Sequence, residues 1–171
     1  MIQRIDVLPV ADAEVQIGLL RAMLDDGTRD WREELGAVSD ETVFWQPSPS
    51  GHSIGALILH IADVEAYWLH QIGAGQARSG EELTRLLSQE TQQYDLSWPV
   101  PPAQPLSWFL AQHDEIRART HQIVSTWNDP AQVRPREDTE FTRRWLLHHV
   151  LTHEAYHGGQ AVLLSILHGQ R

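Results

Sequence analysis

A chain of 171 residues, 42% hydrophobic and 21% charged, is long enough to bury a core and too apolar to be a disordered tail. Its 13 basic and 23 acidic residues give a net charge of −10 and leave no basic stripe for a nucleic-acid backbone. The absence of cysteine excludes disulfides, thiolate metal ligands and a cysteine nucleophile.

Arg4, Asp6, Asp12 and Glu14 interrupt any apolar signal segment at the start, and no apolar run reaches bilayer length. One cytoplasmic domain over 1–171 is therefore expected. Val15, Leu19, Leu20, Met23 and Leu24 recur at helical spacing and predict a first helix from Ala13 to Leu35, with Gly27 weakening its middle. Gln46-Pro47-Ser48-Pro49-Ser50-Gly51 breaks the chain. Ser53 reads as the N-cap of a second helix running to Gln71 or Ile72, with Gly73 placed to end it. Between Gly73 and Pro105 the pattern is mixed: a short helix over Glu81 to Gln92, then an extended Trp98-Pro99-Val100-Pro101-Pro102. A third helix covers about Leu106 to Trp127, with Phe109, Leu110, Ile116, Ile123 and Val124 as core, and Asn128-Asp129-Pro130 stops it. The last helix runs from about Thr142 to Leu167 after a cap at Asp138 or Thr139, and Gly169 ends it. No alternating strand pattern is evident, so the fold class is all-α, a four-helix bundle.

Residues four apart share a helical face, so His153 and His157 can offer two imidazoles to one ion. Leu146, His149, Gln160, Leu164 and Leu167 fall on that same face, which marks it as interior. Buried neutral imidazoles need partners, and a metal ion supplies one for both. On the second helix His60 shares a face with Ala56, Leu57, Val64, Tyr67 and Gln71, and is the best third ligand. Three histidines leave a coordination position open, as a catalytic metal requires. His149 is a ligand, a neighbouring support or a core residue. His52, His70, His113, His121, His148 and His168 read as peripheral. Gly158 and Gly159 each cost about 1 kcal/mol in mid-helix, which points to something packing closely there.

His153-Glu154-Ala155-Tyr156-His157 also spells the HExxH string of zinc peptidases, with Glu154 as general base. The downstream chain is too short for a distant glutamate ligand, and the extended motif fails at Gln160 and Leu163. A peptidase is the weaker reading.

Ser53-Ile54-Gly55, Leu59-His60-Ile61-Ala62-Asp63-Val64-Glu65 and His153-Glu154-Ala155-Tyr156-His157-Gly158-Gly159-Gln160 together resemble the DinB superfamily. Trp45-Gln46-Pro47 resembles that family's lead-in, and the likeness spans about Leu19 to Gly169. The resemblance implies an up-down-down-up four-helix bundle whose three ligands map to His60, His153 and His157. It also implies a divalent ion such as zinc or nickel, and homodimers. Relatives include S-transferases and isomerases using bacillithiol, mycothiol or glutathione.

A low-molecular-weight thiol would bring the nucleophile that a cysteine-free chain lacks. The alternatives are a hydrolase using metal-activated water and a non-catalytic metal-binding stress protein. A fourth protein ligand, His149 or Asp63, would favour a structural metal. Glu154 and Tyr67 are weak candidates for catalytic roles, and Gln160 for cofactor binding. Arg143 and Arg144 read as a solvated helix start able to meet a carboxylate. The apolar arc of Ile54, Ile58, Ile61, Trp68, Leu69 and Ile72 reads as the dimer face.

Overall fold

The structure, a computed structural model, describes residues 5–11, 13–89 and 97–169. Helix α1 spans Val15–Leu35, begun by the Glu14 carboxylate accepting from Ile17 N at 3.0 Å. A short α2 (Asp40–Phe44) is capped by Ser39. Helix α3 (Ile54–Glu65) starts at Ser53, whose hydroxyl accepts from Ala56 N at 3.3 Å. It continues without a break as a π-helical segment, Ala66–Gly73. A short α4 (Gly80–Arg85) replaces the longer helix expected over Glu81 to Gln92, of which residues 90–92 lie outside the described residues. Helix α5 is Leu106–Val124 and helix α6 is Arg143–Gly169.

One expectation fails between α5 and α6. Strands β1 (Val133–Arg136) and β2 (Thr139–Thr142) form an antiparallel hairpin, with Arg136 opposite Thr139. The turn places Glu137 at φ +55°, without the Asn or Gly that usually announces such a turn. A proline at Pro135 further conceals the strand, since proline is confined to edges. The expected caps Asp138 and Thr139 therefore belong to the hairpin. Thr142 caps α6 instead, its hydroxyl accepting from Trp145 N at 3.3 Å.

α1 packs most extensively on α6, while α3 is flanked by α5 and α6. Thus α3 and α6, the two histidine-bearing helices, lie side by side. Phe109, Ile116 and Val124 of α5 are buried as expected, and Leu110 only partly. The connection after α4 folds back onto α3: Leu86 is buried, and Trp98 packs on the cluster holding Ile54, Leu57 and Ile58. This corrects the reading of the α3 arc as free surface. Ile54, Ile58, Ile61 and Leu69 are at most 1% exposed within the single chain, and Trp68 and Ile72 are half-buried. Among the described residues, exposed large apolar side chains of the bundle lie instead mainly on α6, at Trp145, Tyr156, Leu163, Ile166 and Leu167, with Val15 and Met23 on α1. No helix among the described residues is long and apolar enough to cross a membrane.

Candidate metal centre

His60 comes from the middle of α3, and His153 and His157 stand one turn apart on α6. Their ring centroids lie 4.9 Å (His60–His153), 4.9 Å (His60–His157) and 4.4 Å (His153–His157) apart. One ring nitrogen from each falls within 4.8 Å of the other two. His60 Nε2 and His153 Nε2 face each other at 3.2 Å. Tetrahedral zinc with Zn–N near 2.05 Å would place two ligand nitrogens roughly 3.3 Å apart. The spacing fits a shared cation.

Protonation points the same way. Burial and the neighbouring histidines push His60 down to about 3 and His153 to about 2. His157 is lowered too, by burial above all, against a raising hydrogen bond to Gln160, with His52 adding a smaller lowering effect. At neutral pH all three rings are therefore neutral. His157 Nδ1 lies 2.7 Å from Gln160 Oε1, which assigns the proton to Nδ1 and leaves the Nε2 lone pair free. Each neutral imidazole keeps one in-plane lone pair, so three rings converging in this way can turn three lone pairs on one point. The buried Nδ1 of His60 has no partner among the described residues.

Gln160, a weak candidate for cofactor contact, thus orients one of the three converging histidines. His149 does not join the three: it stacks on Trp145 at 4.8 Å and meets Trp68 at 5.0 Å, with its ring 6.2 Å from His153. Asp63, the other possible fourth ligand, turns away to Arg78 and Ser88. Tyr67 lies two turns along from His60, where its hydroxyl accepts from Arg136 Nε at 2.6 Å. It touches Trp68 rather than the three histidines. His52 and Trp98 border the site unannounced, with Trp98 at 5.0 Å and edge-on to His60. A histidine and a tryptophan in proline-rich loops carry no periodic signal.

Glu154 corrects the general-base reading outright. It is 2% exposed and points away from the histidines into the bundle. Its Oε1 accepts from Thr28 Oγ1 (2.6 Å) and Trp31 Nε1 (2.9 Å), and its Oε2 from Arg117 Nη2 (2.5 Å). Arg117 also forms a two-pronged pair with Glu65, both contacts at 2.9 Å. Burial alone would raise the Glu65 carboxyl, but Arg117 and His113 hold it below the usual range. His113 is fully buried beside both carboxylates, and His70 is fully buried against Thr120. Neither is peripheral, contrary to expectation. Glu65, His113 and Glu154 also cluster closely enough to suggest a second cation site. Arg117 already supplies the cation there.

Arg143 and Arg144 do not form a solvated pair. Arg143 is buried, its guanidinium 4.9 Å from the Trp127 ring centroid. Gly158 does mark a close approach: a Cβ there would sit 2.6 Å from Trp31 Cγ. Gly159 meets nothing within 4 Å.

The fold is similar to that of a DinB-like protein from Bacillus cereus, with a TM-score of 0.56 and 18% identity over 86% of this chain and 91% of that one. At that identity the likeness speaks for the fold alone. No curated protein matches. The sequence itself matches the family model described as Mycothiol-S-transferase over residues 19–165. With most of its length matched and a DinB-like architecture, the chain belongs to the mycothiol-S-transferase family of the DinB superfamily.

Proposed function

We propose that this protein is a metal-dependent S-transferase that joins a low-molecular-weight thiol, mycothiol in the first instance, to a small electrophile. One divalent ion, zinc or nickel, is held by His60, His153 and His157. The observation carrying this reading is the convergence of three neutral imidazoles with no fourth protein ligand among the described residues. A divalent ion there would act as a Lewis acid that lowers the pKa of a thiol bound in its open position. The chain itself contributes neutral ligands, kept neutral by burial, and a fixed His157 tautomer through Gln160. Half-buried Trp98 beside His60 limits water at the site. No protein cysteine competes for the electrophile. The family match and a cysteine-free chain support thiol chemistry over water as nucleophile.

We read residues 1–171 as one cytoplasmic unit, where small thiols stay reduced, and as a homodimer. The exposed apolar residues of α6 are the face that supports dimerisation.

The test is metal content together with turnover. Purified protein should hold about one divalent ion per chain by elemental analysis, and His60→Ala, His153→Ala and His157→Ala should each lose it. Conjugation of an electrophile to mycothiol should vanish on chelation and return with metal. Turnover of the same electrophile without any thiol would replace the transferase reading with a hydrolase. Metal binding that survives the His153→Ala, His157→Ala double substitution would remove the site altogether.

A further inference from the structure

A second polar site lies at the other end of the π segment, built from residues that the histidine cluster does not use. Where the segment ends at Gly73, the end of α5, strand β1 and the start of α6 enclose a cavity of about 440 Å3. That is enough room for a small metabolite. Three arginines line it, Arg119, Arg134 and Arg143, in a chain whose net charge is −10.

The arginines differ in how they are satisfied. Arg119 sits at the exposed side, paired with Glu82 at 3.1 Å and held by Gln76. Arg134 is fixed by its Nε, which donates to the Gly73 carbonyl at 2.8 Å. Arg143 is flattened on Trp127, and its buried Nε has no hydrogen-bond partner. Among the described residues neither Arg134 nor Arg143 has a carboxylate within ion-pair distance. Asp129 lends Arg143 only a weaker field, while burial and Arg134 both disfavour its charge. Two cations brought together in a partly dehydrated pocket without an anion cost stability. Arginine forks are also the best-matched donors for planar or tetrahedral oxyanions.

We propose that this cavity binds a small oxyanion, a carboxylate- or phosphate-bearing molecule. Its charged group is clamped between Arg134 and Arg143. Gln122 and Thr126 line the same cavity and are placed to meet polar groups of its body, with Trp127 as the apolar wall. The donors are preorganised, because Arg134 is pinned to the backbone of the π segment and Arg143 to an indole. That lowers the ordering cost of binding.

The indole N–H signals of nitrogen-labelled tryptophan report on this directly, with Trp127 assigned by Trp127→Phe. Inorganic phosphate and acetate are titrated separately at constant ionic strength, with chloride as the reference. The Trp127 signal should move saturably with at least one of the two oxyanions and not with chloride. Saturation by phosphate alone identifies a phosphorylated ligand, and saturation by acetate identifies a carboxylate. Arg134→Gln and Arg143→Gln should each weaken binding at least tenfold, while Arg85→Gln, on another surface, should not. If Arg143→Gln fails to fold, the half-buried Arg134→Gln decides. No saturable shift with either oxyanion, or unchanged affinity in Arg134→Gln, overturns the proposal and leaves Arg143 as a packing residue on Trp127.

Discussion

Trp31 engages Glu154 and Gly158 at once, two positions one turn apart on α6. Its indole N–H donates to the Glu154 carboxylate at 2.9 Å, and its ring fills the space where a Gly158 side chain would stand. α1 is thereby keyed to the inner face of α6, while His153 and His157 are turned toward α3. The glycine is required for the approach, not for a turn.

Gly158→Ala should therefore be destabilising despite alanine's helix preference. Overpacking against Trp31 costs about 1–3 kcal/mol, against about 1 kcal/mol recovered from propensity. Gly159→Ala, exposed and facing open space, should stabilise by up to about 1 kcal/mol. Thermal unfolding of the two variants measures the contrast. Equal effects would mean that the Trp31 contact does not constrain α6.

Glu154→Ala should cost about 3–5 kcal/mol, because it strips buried Arg117 of one of its two buried carboxylates and leaves it with Glu65 and the more exposed Asp25. Glu154→Asp, too short to reach Arg117 and Trp31 together, should recover only part. Chemical denaturation checks both. If Glu154 were a base acting at the metal, activity would fall far more than stability, so activity of the folded fraction separates the two roles.

Gln160→Leu should weaken metal binding by about 10- to 100-fold, because His157 loses the acceptor that fixes its tautomer. Competition against a chelator of known affinity reads this. Gln160→Glu, which keeps an acceptor, should retain most of the affinity.

His70 provides a pH dependence outside the metal centre. Burial first, and Arg119 second, push it from 6.5 to about 4. Below pH 6.5 the unfolded chain takes up a proton that the folded chain refuses. Stability is thus complete above 6.5 and falls as pH drops toward 4, by about 1.4 kcal/mol per pH unit from this group. His70→Gln should remove that slope. Urea unfolding in chelator at pH 7, 6 and 5 gives the comparison, and an identical slope in the variant would refute the assignment.

The long helices and the convergence of His60, His153 and His157 were legible because helical periodicity places those side chains by arithmetic. Glu154 was misread because HExxH describes spacing alone. Whether the residue between two inward histidines faces the metal or a neighbouring helix depends on what that helix carries. Here it carries Trp31 on α1 and Arg117 on α5, distant in sequence. A signal for the buried network did exist: Glu65 follows Asp63 at the end of a mainly apolar helix, and His113 and Arg117 are one turn apart on α5. The hairpin was hidden by Pro135 and a turn without glycine. The π segment left no trace, since its apolar pattern reads equally well as α-helix.

The Arg117 network has a consequence for how the molecule opens. Its hydrogen-bonded and ionic groups come from α1, α3, α5 and α6, so detaching any one of these helices breaks buried polar contacts in the interior. Partial openings that free one helix are therefore penalised, and the bundle should open as one cooperative unit. Amide hydrogens around His60 and His153 should accordingly exchange at the rate of global unfolding, while those of the β1–β2 hairpin exchange faster. His60, His153 and His157 then keep their mutual spacing through the surrounding network rather than through anything bound between them.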